Sequence, residues 1–125
     1  MRFMVMIKST KDSEAGIPPS PQLIAEMGKL SETLVKAGVM LASGGLQPSS
    51  SGVRIRYADG KRSVTDGPFI EVKELIGGYA IVQAGSKEEA IELANRVVDI
   101  HVDAGVAELE MEIRPMFDPD CGTAQ

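Results

Sequence analysis

An α+β domain of strand–helix–strand–strand–helix–strand order, with a β-hairpin inserted after the second strand, is the fold that this sequence predicts. Three observations carry that expectation. Two segments place apolar residues at three- and four-residue spacing, the period of a helix buried along one face. Four short runs have the length and apolar content of strands. Between two further runs stands Asp59-Gly60, a pair that tolerates the positive φ angles of a tight hairpin turn. With the hairpin set aside, the order βαββαβ is that of a ferredoxin-like fold, which lays both helices on one face of an antiparallel sheet.

Arg2 to Lys8 opens the chain as a strand. Phe3, Val5 and Ile7 alternate with Met4 and Met6, so both faces are apolar and both need cover. Ser9 to Pro19, with Gly16, Pro18 and Pro19, reads as a loop. Ser20-Pro21 is a helix start: the serine hydroxyl caps an unpaired N–H, and proline lacks a donor that this position leaves unused. Leu23, Met27, Leu30 and Leu34 then form one stripe, and Gly38 stops the helix after Ala37. Val39 to Ala42 is a short second strand running into Ser43-Gly44-Gly45, and Gln47 to Gly52 is a loop.

Val53 to Ala58 and Lys61 to Asp66 make the hairpin. Its turn sets Tyr57 opposite Arg62, Ile55 opposite Val64 and Val53 opposite Asp66 on one side, with Arg54, Arg56, Ser63 and Thr65 on the other. Gly77-Gly78 opens the strand Tyr79 to Gln83, again apolar on both faces. Ser86 and Glu89 have the spacing of a capping box, and Ala90, Ile91, Ala94, Val97 and Val98 supply the buried stripe of a second helix. Past His101 and Gly105, residues Ala107, Leu109, Met111 and Ile113 alternate with Glu108, Glu110, Glu112 and Arg114 as a last strand. One domain is expected over residues 1–117, followed by a polar tail, 118–125, that holds the lone Cys121.

A length of 125 residues suits one domain. Eighteen Asp and Glu against thirteen Lys and Arg, a net charge of −5, argue against a nucleic-acid-tracking surface. No apolar run reaches the roughly 18 residues of a membrane span, and the N-terminus lacks a cleavable leader pattern. A cytoplasmic protein without direct membrane or nucleic-acid contact is therefore expected. One cysteine excludes an intrachain disulfide, and with one histidine no metal site is expected. No cofactor is expected either, since the chain holds no G-x-G-x-x-G or lysine-terminated phosphate loop. Hydrophobic residues make up 43% of the chain, more than one layer of sheet and helices hides alone. A second copy is the simplest cover for the far face of the sheet, so a homodimer packed sheet to sheet is expected.

The densest chemistry lies at Asp66-Gly67-Pro68-Phe69 and the Glu71, Lys73 and Glu74 that follow. Asp66 ends the more apolar side of the hairpin, where partial loss of solvent would raise its proton affinity into the range of a general base. Its structural alternative is a carboxylate that binds backbone N–H groups and sets the turn. Lys73 suits an anionic substrate or developing negative charge. Glu71 or Glu74 would pair with it or act as a second acid or base, the alternative being a solvated, salt-bridged surface. Phe69 either packs or walls a ligand. His101, read as lying between the second helix and the last strand, is either an exposed loop residue or an acid–base partner that meets Asp66 in the same or the other chain. Arg54 and Arg56, with Lys61 and Arg62, gather positive charge on the hairpin and suit an anion, a carboxylate ligand or an acidic protein. Glu108, Glu110 and Glu112 read as a solvated row that discourages edge pairing.

The same stretch, DGPF followed by Glu71, Lys73, Glu74 and Gly77-Gly78-Tyr79, resembles the signature of the DGPF branch of the YCII-related family. The opening RFMVMIK, the KAGV at the end of the first helix, Ala42-Ser43-Gly44-Gly45-Leu46 with Pro48, and the closing EIRPMF carry the likeness over roughly Met1 to Phe117. The resemblance implies a dimeric α+β barrel. The wider family includes a dehydrochlorinase and a lactone-type dehalogenase of chlorinated-aromatic breakdown, which resemble proton-abstracting lyases using a His/Asp pair. It thus implies cofactor-free, lyase-like or isomerase-like acid–base chemistry on a small anionic molecule at a sheet-interface pocket. Members of the branch are often encoded beside extracytoplasmic-function sigma factors. That implies, as the alternative, a non-catalytic ligand-binding or accessory module with a sigma factor as partner. This chain departs from the enzymatic relatives in having no histidine in its first helix or early strands.

Overall fold

Residues 1–117 are described by the structure, a computed structural model. The elements run β1 (Arg2–Lys8), α1 (Lys11–Glu14), α2 (Pro21–Lys36), β2 (Met40–Gly45), β3 (Val53–Ala58), β4 (Lys61–Asp66), β5 (Ile76–Gln83), α3 (Lys87–Asp103) and β6 (Met111–Pro115). Four strands form one antiparallel sheet in the order β2-β5-β1-β6, and β3-β4 stand apart as a two-stranded ribbon. The fold is α+β of the ferredoxin-like kind.

Register explains where the core lies. Phe3 faces Val82, Val5 faces Ala80, and Ile7 faces Gly78 across β1 and β5. On the other side of β5, Met40, Ser43 and Gly45 face the same three residues. Antiparallel partners share a face, so these rows lie together beneath the helices. At one end the row is filled. Phe3, Val5, Val82 and Ala84 pack against Ala90 and Ala94 of α3, and Phe3 is only 1% exposed. The small alanines let α3 come down close on the sheet, because a larger side chain there would prop the helix away.

α2 begins and runs as its sequence implies: the Ser20 hydroxyl accepts from the Leu23 N–H at 3.2 Å, and Leu30 and Leu34 are buried. In α3 the Ser86 hydroxyl accepts from the Glu89 N–H, but the Glu89 carboxylate takes the Gly85 N–H rather than that of Ser86. The box is therefore closed one residue early. Ile91, expected on the buried stripe, is 42% exposed, and Leu93 packs against the core instead.

Three other expectations are corrected. The stretch Ser9 to Pro19 contains the short helix α1, closed by reciprocal Thr10 and Ser13 hydrogen bonds of 3.1 and 2.8 Å. Four residues offer no apolar period to read. α3 continues to Asp103 and so includes His101, which is half-buried on a helix and not in a loop. β6 begins only at Met111, so Glu108 and Glu110 precede the strand, and Glu112 alone lies on it, ion-paired with Lys8 at 3.1 Å. Alternation over Ala107 to Glu110 runs past the register that β1 and β6 share, Phe3 to Ile7 on β1; beyond it the Glu110 carbonyl accepts from the Lys8 N–H at 3.0 Å.

The hairpin has the register its turn demands, Tyr57 to Arg62, Ile55 to Val64 and Val53 to Asp66, with φ of 53° at Asp59 and 74° at Gly60. On the sheet face away from the helices, Met6 is buried, Met4 and Ile81 are half-buried, and Tyr79 is 36% exposed. Among the described residues, no helix is long and apolar enough to cross a membrane. Cys121 and the tail 118–125 lie outside the described residues.

Phe3→Ala removes the most buried large side chain of the core and is expected to cost about 3–5 kcal/mol. The urea midpoint would fall accordingly, with an unchanged slope. A loss within experimental error would mean that the core lies elsewhere.

Candidate functional site

The rows of facing residues shrink along the sheet, from Phe3, Val82 and Met40, through Val5, Ala80 and Ser43, to Ile7, Gly78 and Gly45. Glycine leaves no side chain to meet the first turns of α2. The result is a cavity of about 470 Å³ between sheet and helices. Val5, Ile7 and Met111 line it from the sheet, Leu23, Met27 and Leu30 from α2, and Val97 and His101 from α3. A Cβ built on Gly45 meets nothing within 4 Å. Gly44 faces the other way, beneath the ring of Tyr79, where a Cβ would sit 3.1 Å from Cε1.

Polar side chains at the wall are few: Ser31, Ser43 and His101, and no Asp, Glu, Lys or Arg among the described residues lines the cavity. His101 Nδ1 lies 2.7 Å from the Val97 carbonyl oxygen. A carbonyl can only accept, so Nδ1 carries a proton, and in the neutral ring Nε2 is the acceptor. The ring is thus held in one tautomer by its own helix. His101 was legible in the sequence by one signal that the loop reading missed. Ala90, Ala94, Val97 and His101 stand at i, i+4, i+7 and i+11, the same spacing as Leu23, Met27, Leu30 and Leu34.

Asp66 to Glu74 form a separate place on the surface. Asp66 is exposed at the end of β4, so the loss of solvent expected of it does not occur within the chain. Lys73 and Glu74 are exposed on the single 3-10 turn Val72–Glu74, and Arg56 is exposed on β3. None of these lines the cavity, and His101 does not meet Asp66 within the chain. Three of the expected residues do come together: the Arg54 guanidinium lies 3.9 Å over the Phe69 ring and 3.6 Å from the Glu71 carboxylate. Both Arg54 and Glu71 are half-exposed, so this pair contributes little to stability.

What anchors that surface is a pair of residues that the sequence did not single out. The Glu14 carboxylate accepts from both the Ser49 N–H (2.8 Å) and the Ser49 hydroxyl. Ser49 Oγ in turn accepts from the Phe69 N–H at 3.0 Å, and the Gly67 N–H donates to the Gly52 carbonyl at 2.9 Å. At Gly67 a Cβ would stand 1.7 Å from the Ser49 carbonyl oxygen, so only glycine allows the two loops to touch. The Asp-Gly-Pro-Phe stretch therefore stitches the base of the ribbon to α1. A glutamate and a serine separated by 34 intervening positions (Glu14 and Ser49) carry no local pattern that would have paired them.

Residues 1–116 match the YCII-related domain. The chain belongs to the YCII-related family. It is also similar to an uncharacterized protein of Rhizobium meliloti (strain 1021), 25% identical over 95 residues, which cover 76% of this chain and 73% of that protein. In this YCII-related chain the hollow beneath α2 and the stitched surface loop are thus two distinct features, built from different residues.

Two substitutions probe the stitch. Gly67→Ala forces the loops apart, an overpacking that costs about 1–3 kcal/mol. Glu14→Ala strips two partly buried Ser49 donors of their acceptor and is expected to cost about 1–3 kcal/mol. Both should speed hydrogen exchange at the Phe69 and Gly67 amides while leaving Phe3 and Val5 protected. Unchanged exchange at those two amides would remove the anchoring role.

Proposed function

We propose that this protein, a YCII-related chain of the DGPF type, binds a small and largely apolar acid in the cavity beneath α2, and that His101 moves a proton on it without a cofactor. One observation carries the reading: an apolar hollow of about 470 Å³ with a single tautomer-locked histidine in its wall. Apolar cavities of roughly 150 Å³ already hold one benzene, so there is room for a substituted ring or a short branched chain. The apolar walls take the hydrocarbon part. Ser31, Ser43 and His101 are the groups able to meet its one anionic or ionisable end.

The chemistry follows from Nε2. As an acceptor it can take a proton from a carbon next to the ligand's carbonyl or carboxyl group. Return of that proton to a different carbon gives an isomerisation, and departure of a leaving group as an anion gives an elimination. Water is kept from the carbanion by Leu23, Met27 and Met111, which line the same space. Asp66, Glu71 and Lys73 are given no proton-transfer role in this reading. They belong, with Arg54 and Phe69, to the base of the ribbon. The reading also includes a homodimer in which the sheets pack through the faces away from the helices, supported by the apolar Met4, Ile81 and Tyr79 there.

Gly45→Val tests the cavity, because its new side chain enters open space and should leave the fold intact. Titration with benzoate or a similar monocyclic acid is expected to shift the NMR signals of His101, Ser31, Ser43 and Gly45 in the natural protein. In Gly45→Val the affinity should fall at least tenfold at unchanged thermal midpoint. His101→Gln should keep binding within a few-fold but lose any solvent-deuterium exchange into the ligand. Shifts confined to the surface around Arg54 and Lys73, or undiminished binding to Gly45→Val, would overturn the proposal.

A further inference from the structure

The cavity runs across the full width of the main sheet. One row of facing residues joins Ser43 on β2 to Ala80, Val5 and Ile113, and the next joins Gly45 to Gly78, Ile7 and Met111 on β6. Both ends of the second row line the same space. β2 and β6 are the two edge strands, and three strand spacings set them about 14 Å apart. α2 packs against β2 and α3 against β6, so the helices bring different chemistry to the two sides. On the β2 side stand the hydroxyls of Ser31, from α2, and Ser43; on the β6 side stands the His101 imidazole, from α3. Ser43 and Gly45 are exposed, which places the opening of the cavity along the β2 edge.

We infer that the ligand is two-ended: a hydroxy acid whose carboxylate meets Ser31 and Ser43, and whose hydroxyl, at the far end of a ring or short chain, donates to His101 Nε2. The inference rests on the cavity reading above and names the class of acid that the cavity takes. Hydrogen-bond roles assign the ends. A carboxylate only accepts, and serine hydroxyls can donate to it. The Nδ1 proton of His101 is already given to the Val97 carbonyl, and in the neutral ring Nε2 accepts, so it takes an O–H and turns a carboxylate away. Water assigns them the same way. A carboxylate is costly to strip of solvent, and the β2 edge is the side on which Ser43 stays in contact with water. A neutral hydroxyl is cheaper to bury once it is bonded, and Nε2 supplies that bond beside Val97 and Met111. The width of the sheet sets the spacing. Serine and imidazole side chains take up part of it, and an acid with its two groups side by side reaches only one wall.

The test uses the full chain and three related acids: benzoate, 4-hydroxybenzoate with its groups at opposite ends of the ring, and 2-hydroxybenzoate with them side by side. By calorimetry, 4-hydroxybenzoate is expected to bind about fivefold to tenfold tighter than benzoate, the gain of one hydrogen bond, and 2-hydroxybenzoate no tighter than benzoate. In the complex, ring protons beside the hydroxyl should show nuclear Overhauser contacts to His101 and Met111, and those beside the carboxylate to Ser43 and Gly45. His101→Leu should abolish the preference for 4-hydroxybenzoate yet bind benzoate within a few-fold, whereas Ser43→Ala should weaken both acids by the same factor. Equal binding of benzoate and 4-hydroxybenzoate in the cavity that Gly45→Val fills, or contacts in the reverse sense, would overturn the two-ended ligand and leave the cavity reading standing. Failure of all three acids to bind would overturn both.

Discussion

The pairing of β1 on both edges is the constraint from which the other features follow. Held between β5 and β6, β1 cannot rotate, so Phe3, Val5 and Ile7 must face the helices and Met4 and Met6 must face away. A slip by one residue would exchange the two sets and put Lys8 beneath α2. Because the register is locked, the sizes of the facing residues on β5 and β2 decide what lies under each part of the helices. Val82 opposite Phe3 gives a packed core, and the glycines in the row of Ile7 give a hollow. Core and cavity are two ends of one ladder.

The separation of cavity and surface loop sorts the chemistry of the chain. Acid–base residues in the Asp66 to Glu74 stretch are more numerous than in the cavity, yet they stand in water, where ion pairs are weak. The cavity holds one titratable histidine among apolar walls, where a polar contact counts for more because little water competes. Abundance of charged residues therefore marks the anchor of the ribbon, and scarcity of them marks the binding space. The glycine of the Asp-Gly-Pro-Phe stretch serves that anchor directly, by letting the Ser49 carbonyl approach.

Most of the fold was legible in the order of residues, because its signals are local. Ser20-Pro21 and Leu23, Met27, Leu30 and Leu34 announce α2 within 15 positions, and Asp59-Gly60 sets the ribbon's register by itself. Where a signal was short or lacked a partner, reading failed. α1 is too brief to show a period, the alternation of Ala107 to Glu110 starts before β6 does, and a loop reading at His101 stopped α3 a turn too soon. The site was less legible than the fold. Its ionisable residue sits on an apolar stripe, where side-chain chemistry looks like a break in the pattern rather than a function.

The sequence by itself determined the α+β class, the ribbon and its two-sided character, and membership of the YCII-related family. Those depend on spacing along the chain, and spacing is written there directly. Only the tertiary structure decided that Gly45 stands beside Gly78, that His101 shares a space with Leu23 and Ser43, and that Glu14 holds Ser49. Each of these joins residues far apart in sequence through strand register or helix docking. Such proximity comes from how elements pack on one another, which no local pattern of residues records.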